Sequence, residues 1–324
     1  MSEMISTLKP RPLVNHLNKL IKIEKNDILT ETEYLLLSQR YKDAEEYLMT
    51  TYPKASLSSE VESLTLLGII QKKLNQKEMA YKYFEMASKV NNNADPFVDD
   101  CLGMSLFEKG EYEKSIMFLE EAVHLNKKEP IYHLHLAFVN EKLMDVKTQN
   151  QNDKMIAGED VRINRVRNPE LKVIKDKIKD EYESTIDLDK NCYLALLNYG
   201  VFQAKEGYFE EAEKLLKKAI EIEKFDYKPY LNLANLELRR QQYKKATDYF
   251  ETVLELTKNN VGLTVLIPYM TTLSKLEEWV KLEKISKKIL IIDKNNMKAL
   301  AWLMKALKEN YIIIVKDNYK MYKE

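Results

Sequence analysis

The feature that most constrains this chain is a unit of 34 residues that occurs twice in succession between residues 193 and 260. Corresponding positions of the two copies carry similar residues: Leu196 and Tyr230, Gly200 and Ala234, Ala212 and Ala246, and Leu216 and Phe250. A repeat of this length is typical of stacked pairs of helices. We therefore expect helical hairpins that bury their apolar faces against one another, since one hairpin cannot bury its face alone.

Small residues recur where two helices of such a hairpin would cross. The first helix carries Gly200 or Ala234 near its middle, and the second carries Ala212 or Ala246. Small side chains at these points allow the two backbones to approach closely. Gly207 lies between the helices of the first copy and suits a turn, because glycine readily adopts the left-handed conformation that ends a helix. The sequence thus predicts an all-α protein.

These residues resemble the tetratricopeptide repeat family, whose units carry small residues at positions 8 and 20 and large residues at positions 4 and 24. The resemblance implies a right-handed α-solenoid of stacked helix-turn-helix units. We expect about seven to eight repeats over residues 25–310, preceded by a tail and capping helix at 1–24 and followed by a capping helix at 311–324. Residues 145–168 interrupt the repeat register, and their polar composition suits a mobile loop insertion.

Both predicted termini have a second interpretation. The amphipathic stretch from Leu13 to Ile23 is either a cap on the first repeat or a separate docking peptide. The apolar run from Ile312 to Val315 is either a seal over the last hairpin or a contact for a partner.

In the repeat that comes after the two copies ending at residue 260, Pro268 falls inside a predicted first helix, which predicts a kink or a late helix start.

The composition contains little that suggests catalysis. The chain has 7 glycines and no phosphate-binding glycine motif, so we expect no cofactor. His133 and His135 are two residues apart on a predicted helix and point to different sides, and Cys101 and Cys192 have no metal-ligand spacing, so we expect no metal. No segment is apolar enough to insert into a membrane. We therefore predict that the protein is not an enzyme.

The resemblance also places a binding face on the first helices, which line a concave groove in tetratricopeptide stacks. Asn198 and Asn232 occupy the same sixth position of consecutive units and offer both a donor and an acceptor to an extended peptide backbone. The alternative is that both asparagines are solvated or bonded between helices. The full predicted groove set is Asn198, Lys205, Lys228, Asn232, Asn235 and Arg239, with additional loop contacts from Arg162, Arg165 and Arg167.

The leading hypothesis is a scaffold or adaptor that binds a peptide or partner subunit within a multiprotein complex. Lysine and arginine together number 51, as do aspartate and glutamate, and this balance makes nucleic acid an unlikely main partner. The alternative is an RNA-processing helical-repeat protein that contacts RNA through the basic loop and groove residues. We expect a cytoplasmic protein, and a weak similarity to subunits of ciliary cargo complexes such as the Bardet–Biedl coat complex implies a ciliary or cytoskeletal location.

Overall fold

The computed structural model describes residues 27–51, 57–91, 94–156 and 169–321, and every regular element among them is a helix. The all-α prediction is therefore confirmed. The predicted tail and capping helix at 1–24 lie outside the described residues, as does the part of the predicted insertion at 157–168.

Fifteen helices are present in this part of the chain. They are α1 (Asp27–Leu37), α2 (Tyr41–Thr51), α3 (Leu57–Lys73), α4 (Lys77–Asn91), α5 (Pro96–Glu108), α6 (Tyr112–Leu125), α7 (Pro130–Ile156), α8 (Pro169–Leu188), α9 (Tyr193–Glu206), α10 (Phe209–Ile222), α11 (Tyr227–Arg239), α12 (Tyr243–Leu256), α13 (Leu263–Leu276), α14 (Trp279–Ile292) and α15 (Met297–Met321).

Consecutive helices pack as hairpins, from α1 with α2 to α13 with α14, and α15 packs on α14. The chain divides into two compact units, with the boundary between Lys190 and Asn191. Unit 1 contains α1 to α8, and unit 2 contains α9 to α15. In each unit successive hairpins contact their neighbours, as expected for a stacked helical solenoid. That residues 25–310 form a single continuous solenoid remains a prediction.

The small residues lie where the helices of a hairpin approach most closely. A Cβ atom added to Gly200 would lie 2.9 Å from Cγ of Leu216, and one added to Gly68 would lie 2.5 Å from the ring of Phe84. Ala212 is fully buried at the corresponding point of a second helix. The expected reason for these small residues is thus confirmed, because a larger side chain would have to displace the Leu216 or Phe84 side chain of the opposite helix.

Six short hairpins share one turn geometry. The residue after the turn donates its backbone N–H to a carbonyl five residues earlier, at 2.8–3.1 Å in every case. This bond needs a left-handed residue just before the donor. The positions are Gln39, Asn75, Gly110, Gly207, Gln241 and Glu277, with φ between 58° and 94°. The predicted turn at Gly207 is confirmed.

The predicted loop insertion at 145–168 is partly wrong, because α7 continues without interruption to Ile156. The sequence contains no glycine or proline between Asp145 and Gly158 that would end the helix earlier. Lys147 forms an ion pair at 2.5 Å with Glu170 on α8, so the start of the extension is still paired with its hairpin partner.

Two further expectations need revision. The segment 311–321 is not a separate capping helix, because it continues α15 from Met297. Nor does Pro268 delay the start of its helix, since α13 begins at Leu263. The proline lacks the N–H that would bond back to the preceding turn, so a local kink remains a prediction.

Candidate functional site

The three first helices α9, α11 and α13 contact one another in order within unit 2. We call the surface formed by their predicted lining positions the first-helix face. It combines half-buried apolar residues with amides and hydroxyls: Leu194, Asn198, Val201, Leu231, Asn232, Asn235, Ile267 and Thr271. Such a surface provides apolar contact together with a few directional polar groups, which is typical of binding sites.

Asn198 is the most distinctive residue of this face. Its Nδ2 atom is buried and has no hydrogen-bond partner among the described residues. A buried donor that lacks an acceptor costs about 1–3 kcal/mol. The side chain therefore carries an unfavourable energy, which pairing of Nδ2 with an acceptor would remove.

Asn232 occupies the equivalent position on α11 but is engaged differently. Its Nδ2 atom donates to the carbonyl oxygen of Lys228, one turn earlier in the same helix, at 3.0 Å. The two asparagines thus do not present identical free donors, although they are 34 residues apart and on neighbouring helices. The predicted amide ladder remains a prediction, with Asn198 as its unpaired member.

The predicted basic residues lie at the two ends of these helices. Lys228 is half-buried in the first turn of α11, where its backbone N–H is capped by the Asp226 carboxylate at 2.9 Å. Arg239 donates to the carbonyl of Ala204 and lies 5.1 Å from the ring centre of Phe209, so it joins α11 to the preceding hairpin. Lys205 is exposed near the end of α9.

Asn235 lies half-buried one turn after Asn232. On α13 the sixth position is taken by Pro268, which offers no side-chain hydrogen bond. The predicted loop contacts Arg162, Arg165 and Arg167 lie outside the described residues.

Unit 1 contains a buried polar arrangement that the sequence analysis did not find. His135, at the sixth position of α7, pairs through Nδ1 with the Asp100 carboxylate on α5 at 2.7 Å, and its Nε2 has no partner in the described structure. His133 pairs instead with Glu181 on α8 at 2.6 Å. The prediction that these two histidines point to different sides is confirmed. Their partners lie 48 and 35 residues away in the sequence, on the hairpin partner α8 and on α5 of the neighbouring hairpin, so no local motif signalled them.

Asp99 on α5 is the most unusual carboxylate in the described part of unit 1. It is fully buried, and neither oxygen has a hydrogen-bond partner within residues 27–321 that are described. Burial, together with the nearby charges of Glu121 and Asp95, raises the pKa of Asp99 to about 6. The carboxylate is costly to ionise because burial and neighbouring negative charges both disfavour its charged form.

The described residues contain neither a metal-binding cluster nor a membrane-spanning helix. No group of three histidine, cysteine, aspartate or glutamate side chains there is arranged to hold a metal ion. Among the same residues, no helix has the length and apolarity needed to cross a membrane.

Comparison with known families identifies the repeats. A tetratricopeptide repeat model matches residues 61–93, 102–129, 193–226 and 227–260. The chain therefore contains tetratricopeptide repeats. The matches fall on the hairpins α3–α4, α5–α6, α9–α10 and α11–α12, and the last two are the repeats from which the sequence analysis began. Tetratricopeptide repeat proteins generally mediate protein–protein interactions, and homologues with this fold are typically non-catalytic scaffolds.

No curated protein matches the sequence significantly. Among solved structures, the APC/C hetero-tetramer Cut9–Hcn1 is similar with a TM-score of 0.62 and 15% identity, over 89% of this chain and 50% of that chain. A tetratricopeptide repeat protein from Parabacteroides merdae has a TM-score of 0.56 and 13% identity, over 87% of this chain and 98% of that chain. This chain thus spans half the length of the first. At these identities the similarity shows the fold alone.

Proposed function

We propose that this protein is a non-catalytic scaffold that binds an extended segment of a partner protein along the first-helix face of unit 2. The unpaired Nδ2 of Asn198 supports the proposal most directly. It is a buried donor set among apolar residues, and a backbone carbonyl of an extended peptide is the acceptor that would fit it. Leu194 and Leu231 would then receive apolar side chains of the peptide.

The proposal extends to the setting of the protein. A preformed helical face needs no cofactor, and binding then loses little free energy to ordering of the receptor. We infer a role as a subunit of a larger cytoplasmic assembly, and a ciliary or transport complex is the specific setting that the resemblance implies. Separation of a native cell extract by size, followed by detection of the chain, tests this point. Elution at the size of the isolated chain contradicts it.

The test of the binding face is a photo-crosslinking residue introduced at Val201, with a second chain carrying it at Met117 on α6 as a control. Partners that crosslink from Val201 and not from Met117 are identified by mass spectrometry. Extended peptides from those partners are then titrated against the purified protein by fluorescence anisotropy, which gives a dissociation constant for each variant.

We expect Asn198→Ala to weaken peptide binding by about tenfold, equal to ~1.4 kcal/mol. Asn232→Ala should have a smaller effect, because its donor is already bonded to Lys228. The melting temperature of Asn198→Ala should stay unchanged or rise, since the substitution removes an unpaired buried donor. Asn295→Ala, which removes an exposed amide between α14 and α15, is the matched control and should change neither quantity. Unchanged affinity with Asn198→Ala would place the binding face elsewhere.

The RNA-processing alternative gains no support from the described residues. Arg239 on this face is bonded to a backbone carbonyl and stacked on Phe209, and the loop arginines are not described. A salt titration separates the two functions, because phosphate contacts make affinity fall steeply with salt. RNA retained at low salt and released with a steep slope would favour the alternative.

A further inference from the structure

Helix α15 differs from the other first helices of unit 2. It has 25 residues, whereas α9, α11 and α13 have 13 or 14. One side packs on α14, where Ala299 and Ala306 are fully buried. Asn310 donates to Glu283 near the beginning of α14 at 2.8 Å. Helix α15 is also longer than the helix it packs on, with 25 residues against 14.

A second side of α15 is apolar and exposed. Its large side chains and their exposed fractions are Met297 74%, Leu300 41%, Met304 66%, Leu307 45%, Tyr311 69% and Ile314 58%. Single exposed apolar residues are normal on a protein surface, but a continuous row marks an interaction surface. We call this row the α15 seam.

The spacing of the seam identifies the shape of its partner. The intervals alternate between three and four residues, which assigns Met297, Met304 and Tyr311 to position a of a heptad and Leu300, Leu307 and Ile314 to position d. The same register continues to Asn318 at a and Met321 at d, so it covers the whole helix, roughly 37 Å. Sustained a and d residues at this period are the pattern of a helix that pairs with another helix in a coiled coil.

The residues beside the seam favour a second copy of this chain as that helix. The flanking g positions are Asn296, Leu303, Asn310 and Asp317, and the flanking e positions are Ala301, Lys308 and Val315. They carry a single lysine and a single aspartate. The other lysines of the helix, at 298, 305, 316 and 320, fall at positions b, c and f away from the seam. Two copies can therefore pair without placing like charges opposite one another.

The register also favours a parallel arrangement. In a parallel pair each a and d position faces the same residue of the other copy, so the apolar residues of the seam from Met297 to Ile314 would cover one another. We propose that α15 pairs in parallel with α15 of a second copy and makes the protein a homodimer.

Analytical ultracentrifugation of the full chain over a range of concentrations tests the proposal. We expect a monomer–dimer equilibrium, and the double variant Leu307→Glu with Ile314→Glu should raise its dissociation constant at least about 100-fold, because it places charges inside the seam. The control variant is Val280→Glu with Ile291→Glu, which changes two apolar residues of α14 that are more exposed than Leu307 and Ile314, and it should leave the constant unchanged. Circular dichroism checks that both variants remain helical.

Disulfide trapping tests the orientation. Leu300→Cys and Ile314→Cys, each alone, should form crosslinked dimers in a parallel pair, above the background from Cys101 and Cys192 in the unsubstituted chain. An antiparallel pair would crosslink only when the two variants are mixed, which would overturn the parallel arrangement.

Four other results would overturn the homodimer. They are a monomer at every concentration, a dimer that persists in the Leu307 and Ile314 variant, a dimer that is lost in the α14 control, and a monomer that dimerises only when residues 1–24 are deleted. The last result would assign the seam to the amphipathic segment from Leu13 to Ile23.

Discussion

The two units use the same hairpin but place different chemistry on their first helices. In unit 1, α5 and α7 carry buried ionisable residues, including Asp99, Asp100 and His135. In unit 2, the first helices carry the amides Asn198 and Asn232 on the first-helix face. The buried carboxylate Glu237 is paired with Arg240 at 3.1 Å. The small and large residues at the helix crossings are common to both units. The crossings therefore define the scaffold, and the remaining positions are free to take up different functions.

The difference extends to pH. The raised pKa values of Asp99, Glu62 and His133 belong to unit 1. In unit 2, Glu213 and Glu283 have pKa values below the usual range because cations or amides donate to them. The three raised groups make unit 1 less stable as pH rises, and the two lowered groups make unit 2 less stable as pH falls into the acid range. Unit 1 also contains carboxyl groups with lowered pKa values, Glu85 and Glu111, so the contrast is limited to the groups named.

The largest expected effect tests whether the units are energetically separate. Phe84 in unit 1 and Phe250 in unit 2 are almost fully buried at equivalent positions. We expect Phe84→Ala and Phe250→Ala each to lower the free energy of unfolding by about 3–5 kcal/mol. The loss should remain in the unit that carries the substitution, because a repeat contacts only its neighbours. Calorimetry measures this, and an equal shift of the whole transition by both variants would contradict it.

The next effect concerns Asp99. Its pKa is about 6 in the folded protein and 3.8 for a free aspartate, so the folded state holds its proton more tightly and stability falls as pH rises between these values. We expect Asp99→Asn to increase the free energy of unfolding by about 2 kcal/mol at pH 8, and to have little effect near pH 4. Urea unfolding at both pH values measures this, with Asp176→Asn on the exposed side of α8 as the control. Destabilisation at pH 8 would show that the carboxylate is needed.

A smaller effect is expected at His133. The hydrogen bond to Glu181 raises the pKa of His133 above 6.5, although burial opposes it. The stabilisation is complete below 6.5 and is lost as pH rises through the folded value. We expect His133→Gln to cost about 1 kcal/mol at pH 5.5 and less at pH 8.5. An NMR titration of the imidazole gives the folded pKa directly, and a value below 6.5 would refute the assignment.

The smallest effect lies in unit 2 and has the opposite direction. Lys217 and then Arg240 donate to Glu213 and lower its pKa below 4.5. Its stabilisation is present above 4.5 and is lost as pH falls through the folded value. Glu213→Gln should reduce stability by less than about 1 kcal/mol at pH 7 and have a smaller effect near pH 3. Urea unfolding measures both, and a larger loss at pH 3 would be inconsistent with this ion pair.

The hairpins could be predicted because their constraints are local and repeated. Gly200 and Leu216 lie 16 residues apart, and Gly68 with Phe84, Gly103 with Leu119 and Ala234 with Phe250 present a similar pair. The pairing of His135 with Asp100 and the isolation of Asp99 could not be predicted, because each depends on which side chains a neighbouring repeat supplies. The hydrogen bond from Asn232 to Lys228 could not be predicted either, because a bond between a side chain and its own helix needs no particular sequence pattern.

Two other differences have separate causes. The polar composition of the stretch after Asp145 predicts a loop, but the stretch contains no glycine or proline before Gly158 and forms a helix to Ile156. The heptad of α15 is present in the sequence. It overlaps the 34-residue repeat, in which Leu300 and Leu307 are interpreted as packing residues within a unit.

The turn shared by six hairpins explains why the repeat is clearer in the structure than in the sequence. Its geometry is held by a backbone bond that any residue can donate, and Gln39, Gln241 and Glu277 adopt the same left-handed conformation as Gly110 and Gly207 at a cost of about 1 kcal/mol each. Glycine can therefore be lost by mutational drift at one turn while the hairpin survives. Several different residues can hold the same turn in this way. The repeat therefore stays recognisable in the backbone after the sequences of the units have diverged.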